Sequence, residues 1–201
     1  MKTSNKKNDS FKLNFKRSMN NLDIVKFILN SFDLEDKQLF VDRCHAINTY
    51  YKGSGSGMTT GTIIEKLLIE HFGFDNYNVG QNDLKIIDIP LSFKKITGCS
   101  SFSLNWGNNK DKRHVNCTSD ILLFNIKTVK YFNHTCKSGF YIINKKHLLN
   151  IELSRNNRSD NVIKSKNILS LLQSTIKDDL FIELPEPNKS RISYNLISGF
   201  A

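Results

Sequence analysis

Apolar residues recur three and four positions apart through the first third of the chain. Leu22, Val25, Ile28 and Leu29 predict a helix over Asn21–Asn30, and the same period continues in a second amphipathic helix over Leu34–Ile47. Ile63, Ile64, Leu67 and Leu68 make the buried stripe of a third, which Thr59 or Thr60 caps and Gly73 ends. After Gly73 the period shortens. Short apolar runs separated by turn residues predict strands at Tyr77–Val79, Leu84–Ile87, Ile89–Lys94, Phe102–Trp106, Asp120–Ile126 and Gly139–Ile143. A short helix at Lys145–Asn150, a longer one over Asn161–Gln173, and a strand at Leu180–Leu184 stopped by Pro185 and Pro187 complete the pattern.

Helices, then a run of strands, then a helix and a strand predict an α/β (α+β) fold, with a central mixed β-sheet flanked by helices. The length of 201 residues suits one domain with an appended arm. Residues 1–20 read as a basic flexible N-terminal arm. Residues 21–201 read as a single domain, helical over 21–72, with a sheet core over 76–150 and a C-terminal helix and strand over 151–201. Gly53-Ser-Gly-Ser-Gly57 reads as a hinge or partner-contacting loop. It is no phosphate loop, because Met58-Thr59 stands where Gly-Lys-Ser/Thr would be needed.

Charge adds a partner class. The net charge is +10, and it is concentrated: Lys110–Lys166 carries twelve Lys/Arg against four Asp/Glu, and Met1–Asn20 six against one. A surplus gathered this way favours a polyanion. No apolar run approaches the ~20 residues of a membrane span, so no membrane partner is expected. The N-terminus has no apolar signal core, which predicts a cytoplasmic protein. Cys44, Cys99, Cys117 and Cys136 have no zinc-ligand spacing and are expected as reduced thiols.

The chemistry gathers in Asn82-Asp83-Leu-Lys-Ile-Ile-Asp-Ile-Pro-Leu-Ser92-Phe93-Lys94-Lys95, two short strands around a turn at Asp88. Ser92 and Lys94 are two apart, so they share one sheet face while Phe93 takes the other. A carboxylate, a hydroxyl and an ammonium on one face, with Glu65 on the helix upstream, make a plausible site for metal-assisted attack on a phosphodiester. Glu70 competes with Glu65, since the two lie about 140° apart around the helix and only one can face the strands. Asp88 competes with Asp83 but lies too close to Ser92. Asp120…Asn125-Ile126-Lys127 repeats the polar-x-Lys pattern with too short a spacing for the hairpin.

Glu65 on a helix, then Asp83, eight intervening residues and Ser92-Phe93-Lys94 resemble the PD-(D/E)xK nuclease superfamily, and within it type II restriction endonucleases. The resemblance covers roughly residues 55–150. It implies a restriction-endonuclease-like fold and Mg2+-dependent, site-specific cleavage of double-stranded DNA. It implies that Asp83, Phe93 through its carbonyl, and the Ser92 side chain are the metal's protein ligands, with Glu65 holding a metal-bound water or a second metal. Lys94 would orient the attacking water, and Ser92 would stand among the catalytic residues. Asn82 replaces the family's frequent Pro, and Ser92 replaces its usual Asp or Glu. The second departure leaves two readings, an altered metal site or a degenerate one. A structure-selective repair or recombination nuclease and a non-catalytic basic DNA-binding protein are the alternatives.

Side chains able to bond purine edges are dense in two polar loops. These are Asn105, Asn108, Asn109, Lys110, Lys112 and Arg113 in the first, and Arg155, Asn156, Asn157 and Arg158 in the second. A duplex cutter with one site per strand implies a homodimer, for which helices over 21–48 are the candidates.

Overall fold

The computed structural model describes residues 19–51, 60–98, 100, 102–103, 119–131, 133–148, 151, 154–155, 161–163 and 165–197. The basic arm to residue 18, the glycine-serine loop, and the polar loops holding Asn105–Arg113 and Asn156–Arg158 lie outside them. Arg155 is described through its backbone alone.

Three helices come first: α1 (Asn21–Ser31), α2 (Leu34–Tyr50) and α3 (Thr60–Phe72). Asn20 caps α1 by accepting from the Leu22 and Asp23 amides, and Asp33 caps α2 by accepting from Asp36 N–H. Gly73, in the left-handed conformation at φ 69°, stops α3. A six-stranded sheet follows, in spatial order β1 (Asp75–Val79), β2 (Asn82–Ile86), β3 (Ile89–Ile96), β5 (Ile121–Asn125), β8 (Gly139–Ile143) and β11 (Phe181–Glu183). The β3–β5 pair is parallel and every other pair antiparallel. The fold is therefore α+β with a mixed sheet and four flanking helices, as the pattern of periods predicts.

The sheet separates two apolar layers. On one face Leu91, Phe93, Leu122, Phe124, Phe140 and Ile142 pack with the buried stripes of α1, α2 and α3. On the other, Ile96, Ile121, Leu123, Tyr141 and Ile143 pack with Ile168, Leu171 and Leu172 of α4 (Ser165–Lys177).

Differences from expectation have local causes. The predicted helix over Asn161–Gln173 begins four residues late. Asn161–Ile163 instead forms β10, paired with β4 (Phe102–Ser103) and β9 (Ser154–Arg155). Lys145–His147 makes one 3-10 turn, with a second at Tyr194–Ile197. A hairpin of β6 (Val129–Tyr131) and β7 (His134–Cys136) forms a separate two-stranded sheet that the apolar pattern does not announce.

Cys136 is disulfide-bonded, contrary to the expected set of reduced thiols, while Cys44 is free and buried. Spacing in sequence does not report proximity in space, which a disulfide requires. Here Asn125 ties distant segments together, accepting from Gly98 N–H at 2.7 Å and donating to the Cys136 and Lys137 carbonyls at 3.3 and 2.8 Å. No helix among the described residues is long and apolar enough to cross a membrane.

Candidate active site

β2 and β3 are joined by the two-residue turn Ile87–Asp88, with Ile86 opposite Ile89 and Leu84 opposite Leu91. One step further in this register sets Asp83 opposite Ser92. Asp88 is thus the turn residue, as its position in the sequence suggests.

The backbone of β3 explains how the site closes. Successive N–H groups of a strand point to opposite neighbours. Ser92 N–H goes to the Asp120 carbonyl beside β5, at 2.9 Å. Phe93 N–H therefore points toward β2, where Asp83 Oδ2 accepts it at 2.6 Å. The same oxygen accepts from Ser92 Oγ at 3.0 Å and from Lys94 Nζ at 3.3 Å. Lys94 Nζ also donates to the Phe93 carbonyl at 2.8 Å. Asp83, Ser92, Phe93 and Lys94 are thus brought together on one hairpin. Asn82 secures its upstream end by donating from Nδ2 to the Val79 carbonyl at 3.2 Å.

The site is half sheltered. The side chains of Asp83 and Lys94 are 26% and 23% exposed, while Ser92 is 0% exposed. Screening is weaker in such a setting than at an open surface, and charges act on one another across the site. Glu65 registers this. Burial, reinforced by the negative charge of Asp83 and opposed by Lys94, pushes its carboxyl up to about 7. The two glutamates of α3 stand in different surroundings: Glu65 is half-buried within the field of Asp83 and Lys94, whereas Glu70 is exposed and its charge acts on Arg43. The two adjacent lysines also separate, since Lys95 Nζ donates to Asn48 Oδ1 on α2 at 3.1 Å.

The rival constellation further along the chain is accounted for by structure. Asp120 Oδ1 accepts from Lys145 N–H, and Asn125 is a buried tie between segments.

The donor set is all oxygen: the Asp83 and Glu65 carboxylates, the Phe93 carbonyl and the Ser92 hydroxyl. This set suits a hard divalent cation such as magnesium. Burial is the main cause of the raised Glu65 carboxyl, and the smaller contribution from the Asp83 charge is one that a bound cation would offset. No group of three or more His, Cys, Asp or Glu side chains placed to hold a metal ion occurs among the described residues. At this site a hydroxyl occupies the position a third carboxylate would take. No family model matches the sequence, and no curated protein or solved structure is significantly similar to it.

Proposed function

We propose that this chain is a magnesium-dependent endonuclease that cuts double-stranded DNA at a short sequence, built on the PD-(D/E)xK plan of type II restriction enzymes. One observation carries the reading: Asp83 Oδ2 gathers Ser92, Phe93 and Lys94 from the neighbouring strand, with Glu65 of α3 inside the same electrostatic field. Order, spacing and side-chain types agree with what hydrolysis of a phosphodiester needs.

In this reading Asp83, Glu65, the Phe93 carbonyl and Ser92 hold the metal. When bound, magnesium supplies polarisation of the scissile phosphate and neutralisation of its developing charge. Lys94 orients the attacking water, and the Phe93 carbonyl, 2.8 Å away, holds its ammonium in place. The excess of basic residues draws the polyanion toward the site. Two copies acting together, one on each DNA strand, belong to the proposal. So do a restriction-endonuclease-like topology and a cytoplasmic setting.

Ser92 favours a second reading. Its hydroxyl donates to Asp83 and carries no charge, as in a site that has kept its shape and lost its metal. The chain would then be a non-catalytic DNA-binding protein. Incubation with a panel of unmethylated plasmid and phage DNAs, with magnesium or with chelator, separates the two. Discrete fragments that appear only with magnesium support the nuclease. Salt-sensitive binding without cleavage of any DNA in the panel supports the binder. A repair nuclease would cut by DNA structure and leave no reproducible fragment pattern on intact duplex.

A further inference from the structure

The hairpin β6–β7 has a composition and a mounting that the catalytic geometry does not use. From Lys127 to Lys137 the sequence is Lys-Thr-Val-Lys-Tyr-Phe-Asn-His-Thr-Cys-Lys, with three lysines and no acidic residue. Val129 pairs with Cys136, and Lys130 with Thr135. Directly opposed residues share a face, so these pairs lie on opposite faces of the ribbon. Cys136 is buried and Val129 seats on Gly98, where an added Cβ would lie 2.8 Å from Val129 Cβ. The other face presents Lys130 and Thr135, both exposed; Lys127, in the bend before β6, and Asn133, beyond β6 at the tip, are exposed as well.

The acids nearby are committed to the base of the ribbon. Glu183 pairs with Lys137 at 2.7 Å, and Glu186 accepts from Thr128 Oγ1. Among the described residues Lys127 and Lys130 form no ion pair. The mounting is rigid, because the buried Asn125 bonds Gly98 on one side and the Cys136 and Lys137 carbonyls on the other. Gly98 lies four residues beyond Lys94 on the same segment. β3 ends at Ile96 and Gly98 turns at φ 63°, so Lys94 and Gly98 lie at most about 13 Å apart along the chain, within roughly four base-pair steps.

We propose that this ribbon is a DNA-contacting element that enters the major groove a few base pairs from the cleaved phosphate, with Lys127 and Lys130 on backbone phosphates and Asn133 toward base edges. A major groove about 12 Å wide admits a two-stranded ribbon, and the exposed Lys127 and Lys130, which form no ion pair among the described residues, give this ribbon a complementary charge. The inference rests on the nuclease reading for its substrate and gives that substrate a docking surface.

The test is fluorescence anisotropy of the full chain with a labelled 40-base-pair duplex of random sequence, in calcium to prevent cleavage, across a salt series. The variants are the double substitution Lys127→Ala with Lys130→Ala and, as a charge-matched control, Lys37→Ala with Lys177→Ala. Thermal unfolding of each checks that the fold is intact. Each lost phosphate contact lowers the slope of log affinity against log salt by about 0.9. The proposal predicts a fall of about 2 in the ribbon variant and little change in the control. Equal slopes in wild type and ribbon variant, or the same fall in both variants, would overturn the ribbon assignment and leave the nuclease reading standing. Wild-type protein that neither binds this duplex nor cuts DNA with magnesium would overturn both.

Discussion

Strands β3 and β5 lie side by side, parallel and in register, yet they are written differently. Ser92 adjoins Ile121, and Lys94 adjoins Leu123. Every residue of β5 is buried, and its first four are apolar on both faces of the sheet. β3 keeps the apolar face, with Leu91 and Phe93 in the helix-covered core, but on the other face it sets a serine and a lysine. An apolar pair there would match its neighbour and bury more surface. The polar pair needs a carboxylate opposite to satisfy it, and Asp83 provides one. A strand that departs from its neighbour's pattern and is compensated across the ladder is where the proposed site lies.

Substitutions sharpen this contrast. The largest loss of stability belongs to β5. Phe124 is fully buried, with its ring centroid 5.3 Å from both Phe40 and Phe140. Phe124→Ala should cost about 3–5 kcal/mol, read from denaturant unfolding. A cost near zero would mean that the two strands do not differ in the way described.

A carboxylate at position 92 should behave differently. Ser92→Asp places a second buried charge against Asp83. In chelator it should cost about 3 kcal/mol, and millimolar magnesium should restore much of the loss. If magnesium leaves the unfolding midpoint unmoved, the oxygen set does not bind the cation as argued.

The third effect is a slope. The Glu65 carboxyl stands at about 7 in the folded chain, against about 4.3 in an unfolded one. A group raised on folding contributes its stability fully below its unfolded value and loses it as pH rises through the folded value. Wild type should therefore lose stability from this group between about pH 4.5 and pH 7, with no further loss above. Glu65→Gln has nothing to titrate there, and its stability-versus-pH curve should be flatter across that window. Parallel curves for the two proteins would place Glu65 in ordinary solvent.

Much of this was legible in the residue pattern, and the exceptions share a cause. α1 is expected over Asn21–Asn30 and spans Asn21–Ser31; Gly139–Ile143 is found with the expected bounds. Both carry strong apolar periods with clear stops. The spacing of Asp83, Ser92 and Lys94 anticipates their meeting, because hairpin register converts sequence separation into distance. What eluded the pattern depends on partners far along the chain. Asn161–Ile163 is drawn into a strand by β4 and β9. The β6–β7 ribbon is short and polar on its outer face, and it is held by Asn125 and Gly98 rather than by a hydrophobic period of its own. The choice between Glu65 and Glu70 needs the packing of α3, which helical spacing narrows to one of two without deciding which.

The most direct test of the nuclease reading is a comparison of wild type with Lys94→Ala on the same DNA panel in magnesium, alongside their unfolding midpoints. Lys94 is partly exposed, and without it Asp83 keeps its bonds from Ser92 Oγ and Phe93 N–H, so losing the ion pair should cost only about 1–2 kcal/mol. The account predicts a variant that folds nearly as stably as wild type and yields none of the wild-type fragments. A folded variant that cuts as well as wild type would contradict it and remove the catalytic centre from this hairpin.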